Sequence, residues 1–226
     1  MNKNTAIILI HGFGGGVHEI EPLAAHLESL GYEVKKTELA GHSGDRKAMG
    51  GATHRDWIRS AEDDYLQLSG RFDNIVLVGF STGGLIAANL AAKYPVAAII
   101  TISTPIYVWN LGRIAGNIID DARRGSAESL KWYIHSASSF PLSSLFYFKI
   151  LQYRSRRLFS LLTCPLYALQ GYDDDTVHHR SADYIYRHAA SQIKQIDYFD
   201  RSGHVMLNGP SAGEAIRKIS SFIASL

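Results

Sequence analysis

Cysteine is almost missing from this chain. Cys164 is the only one in 226 residues, which excludes an intrachain disulfide and any cysteine metal cluster. It stands between Thr163 and Pro165 at the mouth of an apolar run and reads as a small buried hydrophobe rather than a catalytic thiol. Long apolar runs are missing too. The first, Ala6 to Ile10, has five residues before His11, too short for a signal-peptide core. No other stretch reaches the roughly 18 uninterrupted apolar residues that a bilayer span requires. A charge excess is also lacking: 23 basic and 21 acidic residues leave a formal net charge of +2, and that balance asks for neither nucleic acid nor a strongly acidic partner. There is no internal repeat and no low-complexity linker. With 46% hydrophobic residues the chain has enough to bury a sizeable core, and the expectation is one soluble, cytoplasmic domain spanning 1–226.

What is present alternates. Ala6–Ile10 is a continuous apolar run, as expected of a strand buried on both faces of a parallel sheet, and further strands are read at Tyr32–Glu38, Asn74–Gly79, Val96–Ser103, Pro165–Gln170 and Ile193–Phe199. Helical stretches fall between them: about Glu19–Leu30, closed by Gly31; from Thr53, with Trp57, Ala61, Tyr65 and Leu68 as the buried stripe; Leu85–Lys93; about His179–Ala190; and about Pro210–Leu226. Thr53 with Asp56 makes an N-terminal cap. The segment Ala40 to Gly51 reads as loop and polar stretch, and His42 and His54 as loop and cap residues rather than catalysts. Strand–helix alternation without hairpin signals predicts an α/β fold with a mostly parallel, doubly wound sheet.

The rhythm breaks between Ile106 and about Leu158. No strand signal appears there; aromatics stand among small polar residues, with eight Arg or Lys against three acidic residues. An insertion at this point lies over the carboxyl ends of the strands, where such sheets bind ligands. It is expected to be a small helical cap (106–158) on a core of 1–105 and 159–226. The basic run Arg154-Ser155-Arg156-Arg157 reads as a solvated face or as a patch for transient contact with a lipid surface.

One stretch carries chemistry. Val76-Leu77-Val78-Gly79-Phe80-Ser81-Thr82-Gly83-Gly84 is an apolar run ending in Gly-x-Ser-x-Gly, and a helical pattern follows at once. That order places Ser81 at the apex of a sharp strand-to-helix turn, with glycines where a Cβ would clash. The turn also sets the hydroxyl near a helix N-terminus, which favours developing negative charge. The earlier loop His11-Gly12-Phe13-Gly14-Gly15-Gly16 has three readings: an oxyanion loop aimed at the same space, a tight strand-to-helix turn, or a phosphate cradle. A P-loop would need Gly-Lys-Ser/Thr, which is absent.

A serine hydroxyl needs a neutral imidazole to take its proton and a carboxylate to orient that imidazole. Of ten histidines, His204 stands out on the loop after the last strand. The acid is expected one strand earlier, where Asp173, Asp174 and Asp175 stand in a row. The order Ser…Asp…His is that of the α/β-hydrolases. His178-His179 beside these aspartates lack a ligand motif, and neither a metal nor a cofactor is called for.

With these motifs together, the chain resembles the carboxylesterase and monoacylglycerol-lipase-like branch of the α/β-hydrolases nearly end to end. The matching residues are His11-Gly12-Phe13-Gly14, Gly41-His42, Gly79-Phe80-Ser81-Thr82-Gly83-Gly84, Gly171-x-x-Asp174-x-x-Val177 and Ser202-Gly203-His204. The resemblance implies Ser81 as nucleophile, Asp174 as orienting acid and His204 as base. It also implies the backbone N–H groups of Phe13 and Thr82 as the oxyanion hole. Two departures stand out: relatives often carry methionine where this chain has Thr82, and the one glutamate of the cap, Glu128, matches no glycerol-contacting group. Trp109, Trp132 and Phe140 of the cap, with Val177 and Val205, are the expected substrate contacts. The expected substrate is a small-molecule acyl ester, short- to medium-chain or monoacylglycerol-like, and the expected assembly a monomer or homodimer. A thioesterase, acyltransferase or amidase would use the same triad, and a non-catalytic ligand-binding protein is the reading outside enzymes.

Overall fold

The chain runs β1 (Thr5–Ile10), α1 (Glu21–Ser29), β2 (Glu33–Thr37), α2 (Arg46–Gly51), α3 (His54–Ser69), β3 (Asn74–Phe80), α4 (Thr82–Ala91) and β4 (Ala98–Ile102). It continues through α5 (Leu142–Leu158), β5 (Leu166–Gly171), α6 (Arg180–His188), β6 (Lys194–Phe199) and α7 (Ala212–Ala224). This computed structural model describes residues 4–108 and 140–226 and, between them, 117, 119–121, 123–124 and 126. Much of the expected cap, Trp109 and Trp132 included, lies outside the described residues.

The six strands form one sheet in the order β2-β1-β3-β4-β5-β6, parallel at every pairing. Side chains alternate across it. Ile8, Ile10, Leu77, Ile99 and Leu166 face one core with Trp57, Leu85 and Leu151. Ile7, Leu9, Val76, Val78 and Ile100 face the other with Leu23, Leu27, Ile219 and Phe222. Helices α3, α4, α5 and α6 therefore cover one face, and α1 and α7 the other. The inner strands β1, β4 and β5 are buried at every position. The edge strands β2 and β6 are half-exposed and carry Lys35, Lys36, Lys194 and Gln195, charged and polar groups that discourage edge-to-edge pairing. Burial on both faces is why the inner strands read as unbroken apolar runs.

Three expectations need correction. The helix placed from about Glu19 starts at Glu21, after a separate 3-10 turn over Val17–Glu19. The C-terminal helix starts at Ala212 rather than Pro210, behind a 3-10 turn at Met206–Asn208. The polar stretch before Gly51 contains α2, capped by Asp45, whose side chain accepts the Lys47 N–H at 2.9 Å. The Thr53–Asp56 cap is present as a reciprocal capping box. Cys164 is half-buried against the core, and burial pushes its thiol up.

Candidate active site

Ser81 joins β3 to α4 with φ 51° and ψ −121°, a left-handed backbone that an L-residue rarely adopts. Two close approaches hold the turn. A Cβ on Gly79 would collide with the backbone of Gly83 and Gly84, and one on Gly83 with the carbonyl of Ile10 at the end of β1. The Ser81 N–H donates to Ile102 O at 2.7 Å, and Ser81 O accepts from the Gly84 N–H at 3.0 Å. The side chain thus stands at the carboxyl end of the sheet, 7% exposed.

His204 reaches Ser81 from the loop after β6. Its Nε2 lies 3.0 Å from Ser81 Oγ, and its Nδ1 lies 2.9 Å from Asp174 Oδ2. A carboxylate only accepts, so Nδ1 carries the proton and Nε2 is left with a lone pair facing the serine O–H. Asp174 is fully buried on the loop after β5. Its Oδ1 accepts the backbone N–H groups of Thr176 at 3.0 Å and Val177 at 2.8 Å. Burial of the His204 ring disfavours its cation, but the charge and hydrogen bond of Asp174, with Glu19 and Asp175 further off, outweigh this and raise its pKa. The imidazole is thus made more basic than usual and remains aimed at the hydroxyl.

The glycine-rich loop after β1 sits against this pair: a Cβ on Gly12 would be 3.2 Å from Ser81 Cβ. His11 is buried. Its Nδ1–H donates to Gly12 O at 2.9 Å, and its Nε2 accepts the Leu39 N–H at 3.3 Å. The Gly12 carbonyl and the Phe13 N–H belong to one planar peptide, so His11 orients that N–H from its far end. Among the described residues nothing accepts a hydrogen bond from the Phe13 N–H. Thr82 opens α4, and helical geometry gives its N–H no intrahelical acceptor. Phe13 itself is a packing hub, its ring centroid 5.0 Å from Phe140, 5.4 Å from Phe148 and 5.6 Å from Trp57.

The structure therefore brings together Ser81, Asp174, His204, Phe13 and Thr82, with the Phe140 ring tilted against Phe13. Val177 is fully buried and serves Asp174 through its N–H. Val205 is 43% exposed beside His204. His42 packs edge-on against Phe13 and Trp57, and His54 stacks on Tyr147. A cavity of about 410 Å³ opens beside the glycine-rich loop, bordered by Gly14, Gly16, His42, Arg46, Met49 and Phe140. Two polar side chains at the site carried no motif: Gln170, on Asp174, and Glu19, under the loop. Asp174 is the aspartate that the Gly171-x-x-Asp174-x-x-Val177 register singled out, and its carboxylate accepts the N–H groups two and three residues on, an Asx turn.

A family model described as the alpha/beta hydrolase fold matches residues 5–123. A carboxylesterase from Bacillus subtilis (strain 168) is 23% identical over 208 residues, covering 89% of this chain and 85% of that protein. A thermostable monoacylglycerol lipase from Bacillus sp. (strain H-257) is 26% identical over 215 residues, covering 90% and 84%. Among solved structures, one from work on LipS and LipT, two metagenome-derived lipolytic enzymes, superposes with a TM-score of 0.83 at 18% identity, covering 99% of this chain and 94% of that one. The monoacylglycerol lipase of Paleococcus ferrophilus gives a TM-score of 0.72 at 16% identity, covering 97% and 93%.

Proposed function

Because the chain belongs to the α/β-hydrolase family, whose model covers residues 5–123, we propose that it is a serine hydrolase that cleaves carboxylic esters through an acyl-enzyme. The observation that carries this reading is the hydrogen-bonded line from Ser81 Oγ through the His204 ring to buried Asp174. The relatives named carboxylesterase and monoacylglycerol lipase support esters as the substrate class.

The geometry supplies each step. His204 Nε2 takes the Ser81 proton as Oγ bonds to the ester carbonyl carbon, and Asp174 stabilises the resulting imidazolium. The carbonyl oxygen becomes an oxyanion, held by the N–H groups of Phe13 and Thr82; one such donor is typically worth about 2.7–4 kcal/mol. The C–O bond breaks as His204 returns the proton to the leaving alcohol. Water, deprotonated by the same nitrogen, then attacks the acyl-Ser81 carbonyl; the tetrahedral adduct collapses as His204 returns that proton to Ser81 Oγ, releasing the acid and restoring the serine hydroxyl and the neutral imidazole.

The substrate is an acyl ester presented in water or at a lipid surface. Leu142, Phe146 and Tyr153 of α5 are exposed and follow one another at spacings of four and seven, so they share a stripe. Lys149, Arg154, Arg156 and Arg157 flank it, and α5 carries no acidic residue. That composition suits transient contact with an anionic lipid interface.

The test is hydrolysis of nitrophenyl esters from acetyl to palmitoyl. Turnover is expected in the wild type and lost in Ser81→Ala and His204→Ala, with folding retained. Asp174→Asn should lower kcat by about 10⁴, and Asp173→Asn and Asp175→Asn should stay active. A Ser81→Ala protein as active as wild type would overturn the reading.

A further inference from the structure

The glycine-rich loop is folded around a carboxylate. Glu19 Oε2 accepts the Gly12 N–H at 3.0 Å. Glu19 closes the 3-10 turn Val17–Glu19, and its side chain reaches back to the start of the loop that precedes the turn. The fit is close: a Cβ on Gly15 would collide with the Glu19 carboxylate, and one on Gly12 would lie 3.2 Å from its Oε2. The other side of the turn is anchored as well. Asn208 Nδ2 donates to Glu19 O at 3.0 Å, and Asn208 closes the 3-10 turn that follows His204. Glu19 thus lies between the loop that carries the Phe13 N–H and the segment that carries His204.

We propose that Glu19 is a positioning residue for ester hydrolysis, its carboxylate holding the Gly12 N–H so that the Phe13 amide is held beside Ser81. The inference rests on Ser81 as nucleophile and the Phe13 N–H as oxyanion donor. A loop of consecutive glycines has many accessible backbone states, and an oxyanion donor is effective only if fixed before the charge develops. His11 holds the Gly12 carbonyl and Glu19 holds the Gly12 N–H, so the two peptides flanking Gly12 are each tethered by one side chain. Glu19 also faces His204 and His18 electrostatically, while Asp174 and Asp175 face His204 from the loop after β5. Removing the Glu19 charge therefore leaves the imidazolium less stabilised.

Glu19→Gln and Glu19→Ala separate the two effects, since the glutamine oxygen still accepts an N–H but carries no charge. With nitrophenyl butyrate, Glu19→Ala is expected to lower kcat by about tenfold or more, a fraction of the 10²–10³ that loss of one oxyanion donor costs, with KM little changed. Glu19→Gln should recover most of kcat and move the acidic limb of kcat/KM to lower pH. Amide hydrogen exchange at Gly12, read without substrate, should quicken in Glu19→Ala and stay near wild type in Glu19→Gln. If Glu19→Ala does not fold, Glu19→Asp, too short to reach the Gly12 N–H, takes its place. Unchanged loop exchange in Glu19→Ala, or a Glu19→Gln protein as slow as Glu19→Ala, would overturn the proposal. Altered exchange in a protein whose wild type leaves every ester intact would sink the ester reading and leave the loop anchor standing.

Discussion

The side-chain amide of Gln170 donates to Asp174 Oδ2 at 2.9 Å, the same oxygen that lies 2.9 Å from His204 Nδ1. Gln170 is fully buried near the end of β5, four residues before the aspartate. Together with the Thr176 and Val177 N–H groups on Oδ1, it helps solvate a carboxylate that water does not reach.

Gln170→Met keeps volume and removes that donor. A hydrogen bond to a charged group is worth about 1.5–3 kcal/mol, and Gln170 Oε1 has no partner among the described residues, so its loss costs nothing further. Urea denaturation should show a destabilisation of about that size. Kinetics should show kcat/KM reduced by about tenfold, since the carboxylate is then free to swing from the line that orients His204. A variant with wild-type stability and turnover would show that Asp174 needs no help beyond its two backbone donors.

The fold was legible where burial is symmetric and the chemistry has a fixed spacing. Ala6–Ile10 and Val76–Gly79 are buried on both faces, so their apolar runs had no other reading. Gly79 and Gly83 frame Ser81 because backbone passes where their side chains would be. Helix α2 was not legible. Its sequence, Arg46 to Gly51, has two glycines and no apolar stripe, and α5 supplies what it lacks: Ser144 Oγ donates to Met49 O at 2.9 Å and Ser143 Oγ to Gly50 O at 3.0 Å. Contacts made more than 90 residues away leave no trace in a local window. Gln170 and Glu19 escaped for a similar reason, since each acts through a single side chain whose partner is set by the fold.

The exposed stripe of α5 makes a second expectation measurable. Leu142 is 84% exposed, Phe146 62% and Tyr153 67%, a costly display of apolar surface on a helix whose other side already packs Ser144, Leu151 and Ser155 against the body. The protein should co-sediment with vesicles containing phosphatidylglycerol more than with pure phosphatidylcholine, and added salt should weaken the difference as the cations are screened. Replacing Phe146 and Tyr153 with serine should lower binding to both vesicle types. Equal sedimentation with and without anionic lipid would remove the role assigned to Lys149, Arg154, Arg156 and Arg157.

His11 sets the acid limit of the loop. Burial, foremost, pushes its pKa down to about 4, against the hydrogen bond to Gly12, which raises it, while His42 and His18 add repulsion. The neutral ring is the form that fits, with Nδ1–H on Gly12 O and Nε2 accepting from Leu39. The unfolded chain binds a proton at the ordinary histidine value and the folded chain does not until about pH 4. Stability from this residue is therefore fully present above the ordinary value and is lost as pH falls toward 4. His42 and His54, also lowered by burial, act in the same direction; His204, raised, acts in the opposite one. Urea midpoints measured at intervals from pH 7 to pH 4.5 should decline in the wild type. In His11→Asn they should start lower, for want of the ring's two hydrogen bonds, and decline less steeply. Parallel declines in the two proteins would mean that the acid sensitivity lies in other groups, and that the Gly12 peptide keeps its orientation without a neutral imidazole behind it.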